Sequence, residues 1–429
     1  MRASAKLYLC GMHTETTKGS WPALSKEAIK QRVFSALEGN VDFRERGESV
    51  LGVPASSLDP KVFYSNAPFL ADAPFLSALV ANPNHIGCHT LGDSEPFFAG
   101  THAIERELID LCAYHVLNSD EPCDGYVAAG GTEANIQAVW MHRNYFMKVY
   151  GFTPSEITLL CSADSHYSVF KAANLLGVKI RLVEVDQLTR EMHSERIAEA
   201  LQREVEAGCK AVIAFCNMMT TMFGSVDDPK LILSAIEHLE LPYRLHIDGA
   251  YGGFYQPFSG AKFVPDFRIN EVHSITLDAH KMVQAPYGTG VFICRKGLMA
   301  YTCTDEASYV SGADFTLSGS RSGANAIAVW MILMTYGREG WEAKIRALAQ
   351  RAERFSAVLS QLEIEHFRSD ASNILTMNAA HIPEESAKRF GLVPDDHHNP
   401  QWYKIVVMDH VTDERLARLE NELHTVLNR

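Results

Sequence analysis

The 429-residue sequence predicts an α/β fold built on one large, mostly parallel sheet, with a helical N-terminal segment and a small C-terminal α+β unit. Three observations carry this. From about residue 124 short β-branched or apolar runs alternate with longer helical ones, the pattern of parallel strands joined by crossover helices. The helical candidates close on Gly or a polar break, as helix C-termini do. A hydrophobic content of 47% over this length supplies a large core and, on length alone, two or three structural units.

Residues 1–85 are mostly helix and loop. "HIGCHTLGDSEPFFAG" is too rich in Gly, His and Pro for regular structure and reads as a loop bordering a site or interface, before "THAIERELIDLCAYHVL" resumes helical spacing. The large domain, 86–322, then carries the strand candidates "DGYVAAG", "EITLLCS", "KIRLVEVD", "KAVIAFCN", "YRLHIDGAY", "SITLDA" and "GTGVFICRK". Between them lie the helix candidates "TEANIQAVWMHRNYFMKVYG", "SVFKAANLLG", "SERIAEALQREVEAG" and "DPKLILSAIEHLE". The unit 323–429 opens with a long helical stretch, continues through "SNILTMN" and "WYKIVVM", and closes on a helix. There is no internal repeat or low-complexity run.

Charge narrows the partners. Lys plus Arg total 39 against 52 for Asp plus Glu, a net charge of −13, so no basic face is expected that could hold nucleic acid or an anionic membrane. Nine scattered cysteines without a CxxC argue against a disulfide framework or zinc ribbon and for a reduced cytoplasm. The first twenty residues have too short an apolar run for a signal peptide or a membrane span and read as mature sequence. His85, Cys88 and His89 are ligand types in a short span, but no second ligand pair stands at a recognisable distance, so a pocket-lining loop is expected and no metal.

Four stretches fall at ends of predicted strands, where ligands bind in open α/β sheets. In "AAGGTEAN" two glycines and Thr132 open a helix, whose free N–H groups can seat a phosphate. "DSHYSVFKAA" puts His166 at a strand-to-helix junction, and "LHIDGAYGGF" closes an apolar strand on Asp248, a carboxylate that needs a cation or donors to stay ionised. "SITLDAHKMV" ends in Lys281, and a lysine desolvated beside a carbonyl cofactor forms a Schiff base. Singly these read as a Gly–Thr turn, a structural histidine, a helix-capping acid and a surface lysine. Pyridoxal 5′-phosphate explains all four, because it needs a lysine for its aldehyde, an acid for its pyridinium, a flat group on its ring and a phosphate seat.

The joint pattern "GGTEAN", "DSHYSVFKAA", "HIDGAYGG", "DAHKM" and "SGSRSG" resembles the group II decarboxylases among the fold-type I pyridoxal-phosphate enzymes, over about residues 85–340. "THAIERELIDLCA" and "SHYSVFKAA" look most like the shorter histidine and serine decarboxylases. The resemblance implies Lys281 as the Schiff-base residue, Asp248 as the pyridinium partner, His166 as the stacking ring and Ala250 on the opposite face. It puts Gly131, Thr132, Thr276 and His280 on the phosphate side, with Ser318 or Ser320 approaching from a neighbouring subunit of a homodimer. Thr220 and Thr221 match a threonine pair near the cofactor. Tyr309, with Tyr301 as runner-up, would protonate Cα after carbon dioxide leaves. The implied reaction converts an L-amino acid to its primary amine. Fold and cofactor alone also allow a carbon–carbon lyase acting on a phosphorylated amino alcohol, and a non-catalytic dimeric module is the rival from another class.

Overall fold

The computed structural model describes residues 20–41, 58–59, 61–92, 95–303 and 314–427. Its helices are α1 (Lys26–Glu38), α2 (Pro74–Ala81), α3 (Ala99–Asp110), α4 (Gly131–Tyr150), α5 (Ser168–Leu176), α6 (Ser194–Glu206), α7 (Pro229–His238), α8 (Gly323–Gln361), α9 (Glu384–Phe390) and α10 (Asp413–Leu427). A short ladder joins β1 (Asn84–Ile86) to β9 (Ser320–Ser322), antiparallel. The large sheet comprises β2 (Cys123–Ala128), β3 (Ile157–Ser162), β4 (Lys179–Val183), β5 (Ala211–Asn217), β6 (Tyr243–Gly249), β7 (Val272–Asp278) and β8 (Gly290–Arg295). Its order is β2-β8-β7-β6-β5-β3-β4, and β8 alone runs against the other six.

Strands covered on both faces should be apolar throughout rather than alternating. In β5 all seven residues are buried. Ala211, Ile213 and Phe215 pack under α4 and α5 with Val139, Phe146 and Val169, whereas Val212, Ala214 and Cys216 face the core that includes Ile232, Ile236 and Leu201 of α7 and α6.

The main core runs on through α1, α3 and the first half of α8, from Ala324 to Ala349, and a second core begins at Ala352. The expected boundary at 323 therefore opens a helix whose first half packs with the large domain. That helix breaks at Gly337, where φ is 62° and a Cβ would stand 2.3 Å from the Ala23 backbone nitrogen. The segment crossing there takes up the broken turn's backbone groups: Trp21 Nε1 donates to Leu333 O at 2.9 Å, Leu24 N to Met334 O at 2.7 Å, and Arg338 N to Trp21 O at 2.7 Å. The second core belongs to an antiparallel sheet, β10 (His366–Phe367), β11 (Ile374–Asn378), β12 (Val393–Pro394) and β13 (Trp402–Val406), in the order β10-β11-β13-β12. No helix among the described residues is long and apolar enough to cross a membrane.

The β1–β9 ladder is clamped by a buried ion pair. Glu105 Oε1 accepts from Arg321 Nη1 at 2.5 Å and from Val127 N at 2.8 Å, and its Oε2 lies 2.6 Å from His85 Nδ1 and 3.1 Å from His89 Nε2. Burial alone would raise the Glu105 pKa, but Arg321 and the two imidazoles hold it well below the usual carboxylate range. His85, His89 and Glu105 thus gather their ligand atoms within 4.8 Å, while Cys88 turns away and its Sγ meets Gly125 O at 3.4 Å. Removing one partner of a buried pair leaves the other charge unpaired, so Arg321→Met should lower the unfolding free energy by about 3–5 kcal/mol. Chemical denaturation would read it, and an unchanged midpoint would show that the clamp contributes nothing to stability.

Candidate active site

Parallel strands deliver their C-terminal ends to one edge of the sheet, and the register aligns the residues there. Asn217 of β5 pairs with Asp248 of β6, which pairs with Thr276 of β7. Asp278 pairs with Gly290 of β8, opposite Ala128 of β2, from which the chain turns through Gly130 into α4. A cleft at this edge is lined by His166, Asn217, Met219, Thr220, Thr221, Asp248, Ala250, Tyr251 and Lys281. Lys281, Asp248, His166 and Ala250, separated by up to 115 positions in the chain, are brought together there.

Hydrogen bonds orient each group. Ala250 N donates to Asp248 Oδ1 at 3.0 Å, and Asn135 Nδ2, one turn into α4, donates to Asp248 Oδ2 at 2.9 Å and to Ser168 Oγ at 2.9 Å. Ser168 Oγ lies 3.0 Å from His166 Nδ1, which Ser168 N also approaches at 3.3 Å. Burial lowers the pKa of His166, Asp248 pulls it up, and Lys281 pushes it down. With donors on its Nδ1, the neutral ring carries its hydrogen on Nε2.

Of the phosphate-side candidates, Gly131 and His280 meet at one carboxylate. Asp278 Oδ2 accepts from Gly131 N at 3.0 Å and Oδ1 lies 2.8 Å from His280 Nδ1, so one carboxylate ties the start of α4 to the turn that carries Lys281. Burial raises the Asp278 pKa, against the pull of Lys281 and His280. Gly131 sits in a tight place, since a Cβ would meet Ala250 Cβ and Asp278 Oδ2, each at 3.0 Å, and one of them would have to give. Ser318 Oγ donates to Glu133 Oε2 at 2.9 Å in the first turn of the same helix, and Ser320 Oγ accepts from Asn84 Nδ2 at 3.1 Å. Thr276 is buried with its hydroxyl 3.3 Å from His246 Nε2. Thr132 begins α4 beside Gly131.

Tyr309 lies outside the described residues. Tyr301 packs edge-on to Tyr145 at 5.0 Å and is not among the residues lining the cleft.

Sequence reasoning passed over several groups that reach the site. Asn135 sits four residues after Gly131 on the face of α4 that meets Asp248, and His246 precedes Asp248 by two on the same face of β6, so helical and strand periods both carried a signal. Lys404, in the small domain, had none. Its Nζ donates to the carbonyl of cleft-lining Thr221 at 2.9 Å, and burial together with the charge of Lys281 lowers its pKa.

An amine, a carboxylate, an oriented imidazole and a helix start are thus gathered at one strand edge, the groups that pyridoxal phosphate needs. The model of the pyridoxal-dependent decarboxylase conserved domain matches residues 104–375, and the chain belongs to that family. The chain is 43% identical over 94% of its length to a tryptophan decarboxylase of Clostridium sporogenes, covering 97% of that protein, and 31% identical over 77% of its length to an L-aspartate decarboxylase of Thermococcus kodakarensis, covering 84% of it. Among solved structures, the TDC of Oryza sativa with PLP and tryptamine superposes with a TM-score of 0.68 at 16% identity, covering 94% of this chain and 95% of that one. The sphingosine-1-phosphate lyase of Burkholderia pseudomallei gives the same TM-score at 20% identity, covering 77% of each chain, and both likenesses show the fold alone. The protein is a pyridoxal-phosphate-dependent amino-acid carboxy-lyase.

Proposed function

We propose that the substrate is an aromatic L-amino acid, tryptophan foremost, converted to its primary amine by a cytoplasmic homodimer. The observation that carries this is the 43% identity to a tryptophan decarboxylase, maintained over 94% of the chain. When bound, pyridoxal phosphate supplies an electron sink for the pair released as carbon dioxide leaves. Lys281 is the residue that would hold its aldehyde. Asp248, fixed by Asn135 and Ala250, would keep a proton at the ring nitrogen, and His166 and Ala250 would hold the ring. Gly131, Thr132 and His280 would serve the phosphate side, with Ser318 and Ser320, whereas the buried Thr276 hydroxyl turns to His246 instead.

Lys404 of the small domain, whose Nζ donates to the carbonyl of cleft-lining Thr221, would meet the substrate's carboxylate at entry. Two exposed rings support pairing of chains beside the site: Tyr287, 86% exposed and 5.0 Å from His280, and Tyr167, 57% exposed and 4.0 Å from His166. Sedimentation at twice the 47.6 kDa chain mass would support the dimer, and a single-chain mass would exclude it.

The testing experiment is a panel of the common L-amino acids, with carbon dioxide and amine both measured. Tryptophan should give the highest kcat/KM, and a preference for aspartate would overturn the aromatic reading. On the same panel Tyr309→Phe should release carbon dioxide while product shifts from amine to carbonyl compound, if Tyr309 delivers the proton to Cα. An unchanged amine yield would remove Tyr309 from the mechanism.

A further inference from the structure

Behind the cleft, between α4 and strands β6 and β7, a row of buried polar side chains, His142, Ser274 and His246, runs up to Asn135. We propose that Ser274 and His142 are positioning residues for Asp248: with His246 and Asn135 they form a hydrogen-bond chain in which every donor points toward the Asp248 carboxylate. This rests on the reading of Asp248 as the ring-nitrogen partner and deepens it.

The direction of the chain follows from counting donors and acceptors. An ionised carboxylate only accepts, so the atom of Asn135 that lies 2.9 Å from Asp248 Oδ2 is the amide nitrogen. That fixes Asn135 Oδ1 on the opposite side, 3.2 Å from His246 Nε2, and an amide oxygen only accepts, so Nε2 carries a hydrogen. Burial lowers the His246 pKa to about 4, against the pull of Asp248, and the ring is neutral with a lone pair on Nδ1. Ser274 Oγ stands 2.8 Å from that Nδ1 and must give it its only hydrogen. Its oxygen can then only accept from His142 Nε2, 2.8 Å away. Burial, with the charges of neighbouring histidines and Arg244, drives His142 well below its ordinary pKa, so this ring too is neutral, with its hydrogen on Nε2. Thr276 Oγ1, 3.3 Å from His246 Nε2, can join only as a second acceptor.

Four links in series, from His142 to Ser274, His246, Asn135 and Asp248, therefore share one polarity. None of Asn135, His142, His246, Ser274 and Thr276 is more than 1% exposed, so water cannot replace a link. Aligned hydrogen bonds in a dry interior polarise one another, each strengthening the next by about 10–30%. The sum is delivered to Oδ2 of Asp248, the group that faces the ring nitrogen in the proposed function.

The test starts without any variant. Nitrogen-15 spectra of histidine-labelled holoenzyme should show His246 and His142 both neutral with the hydrogen on Nε2; a hydrogen on Nδ1, or a doubly protonated ring, overturns the chain itself. With ring-labelled cofactor, Ser274→Ala should move the ring-nitrogen shift toward that of a neutral pyridine and lower kcat about fivefold at unchanged KM, the order that one hydrogen bond is worth. Ser274→Thr, which keeps a hydroxyl, should restore both. An unmoved nitrogen shift in folded Ser274→Ala overturns the link to catalysis, and where Ser274→Ala does not fold, His142→Leu carries the same reading with a smaller displacement. If Asp248→Asn keeps near-normal turnover, the ring-nitrogen reading has failed, whereas the histidine spectra judge the chain independently.

Discussion

Lys281→Ala should abolish decarboxylation, with turnover falling at least about 10³-fold, since positioned proton transfer by a side chain alone contributes about 10²–10⁴. The residue sits in a closed turn after β7, where Lys281 N donates to Asp278 O at 3.3 Å, Ala285 N to Ala279 O at 3.1 Å, and Ala279 N to Thr289 O at 2.9 Å. The turn aims the amine into the cleft shared with Asp248 and His166. An alanine loses both the covalent hold on the cofactor's aldehyde and the amine that can carry protons. Borohydride treatment of wild type followed by peptide mapping should label Lys281. A label on another lysine, or a folded Lys281→Ala enzyme that turns over within tenfold of wild type, would sink the assignment. Partial rescue of the variant by a small added amine, which replaces the lost nitrogen but not its tether, would support it.

Much of this architecture is legible in one dimension, for a physical reason. Strands buried on both faces must be apolar and bounded by turn residues, and all seven stretches expected as strands of the large sheet, from "DGYVAAG" to "GTGVFICRK", form it. Their ends carry Asp248, the Lys281 turn and the Gly130–Gly131 turn because polar groups can enter an apolar sheet only where strands stop.

What is not legible arises from long-range pairing. Nothing in "GTGVFICRK" announces that it runs antiparallel between β2 and β7, since both faces are buried in either direction. The β1–β9 ladder joins three-residue segments more than 230 positions apart, and its hold comes from Arg321 meeting Glu105 in the core. Lys404 reaches Thr221 from a domain whose docking no local pattern encodes. His142 and Ser274 look like polar interruptions of apolar elements, and only the fold shows that they answer one another.

Asp248→Asn should keep the fold and lose turnover by about 10²–10³, the loss typical when a fixed group aimed at developing transition-state charge is removed. The substitution is nearly isosteric, and the oxygen of the substituted side chain can still accept from Asn135 Nδ2 or from Ala250 N, which lie 2.9 and 3.0 Å from the carboxylate now. One oxygen must become an amide that donates, however, and both carboxylate oxygens already face donors. The new amide therefore stands against Ala250 N or against Asn135 Nδ2, and in either case the negative charge that would hold a proton on the ring is gone. The loss should fall on kcat with little change in KM, because the charge matters as electrons flow inward and not when substrate docks. His166 responds as well: Asp248 is the group that raises its pKa against burial, so the imidazole should become harder to protonate in the variant. A cofactor analogue methylated at the ring nitrogen carries a fixed positive charge and needs no proton, so it should recover more of the lost rate in Asp248→Asn than in wild type. Near-normal turnover of Asp248→Asn, or equal response of both enzymes to the methylated analogue, would reduce Asp248 to a structural anchor for the loop that begins at Ala250.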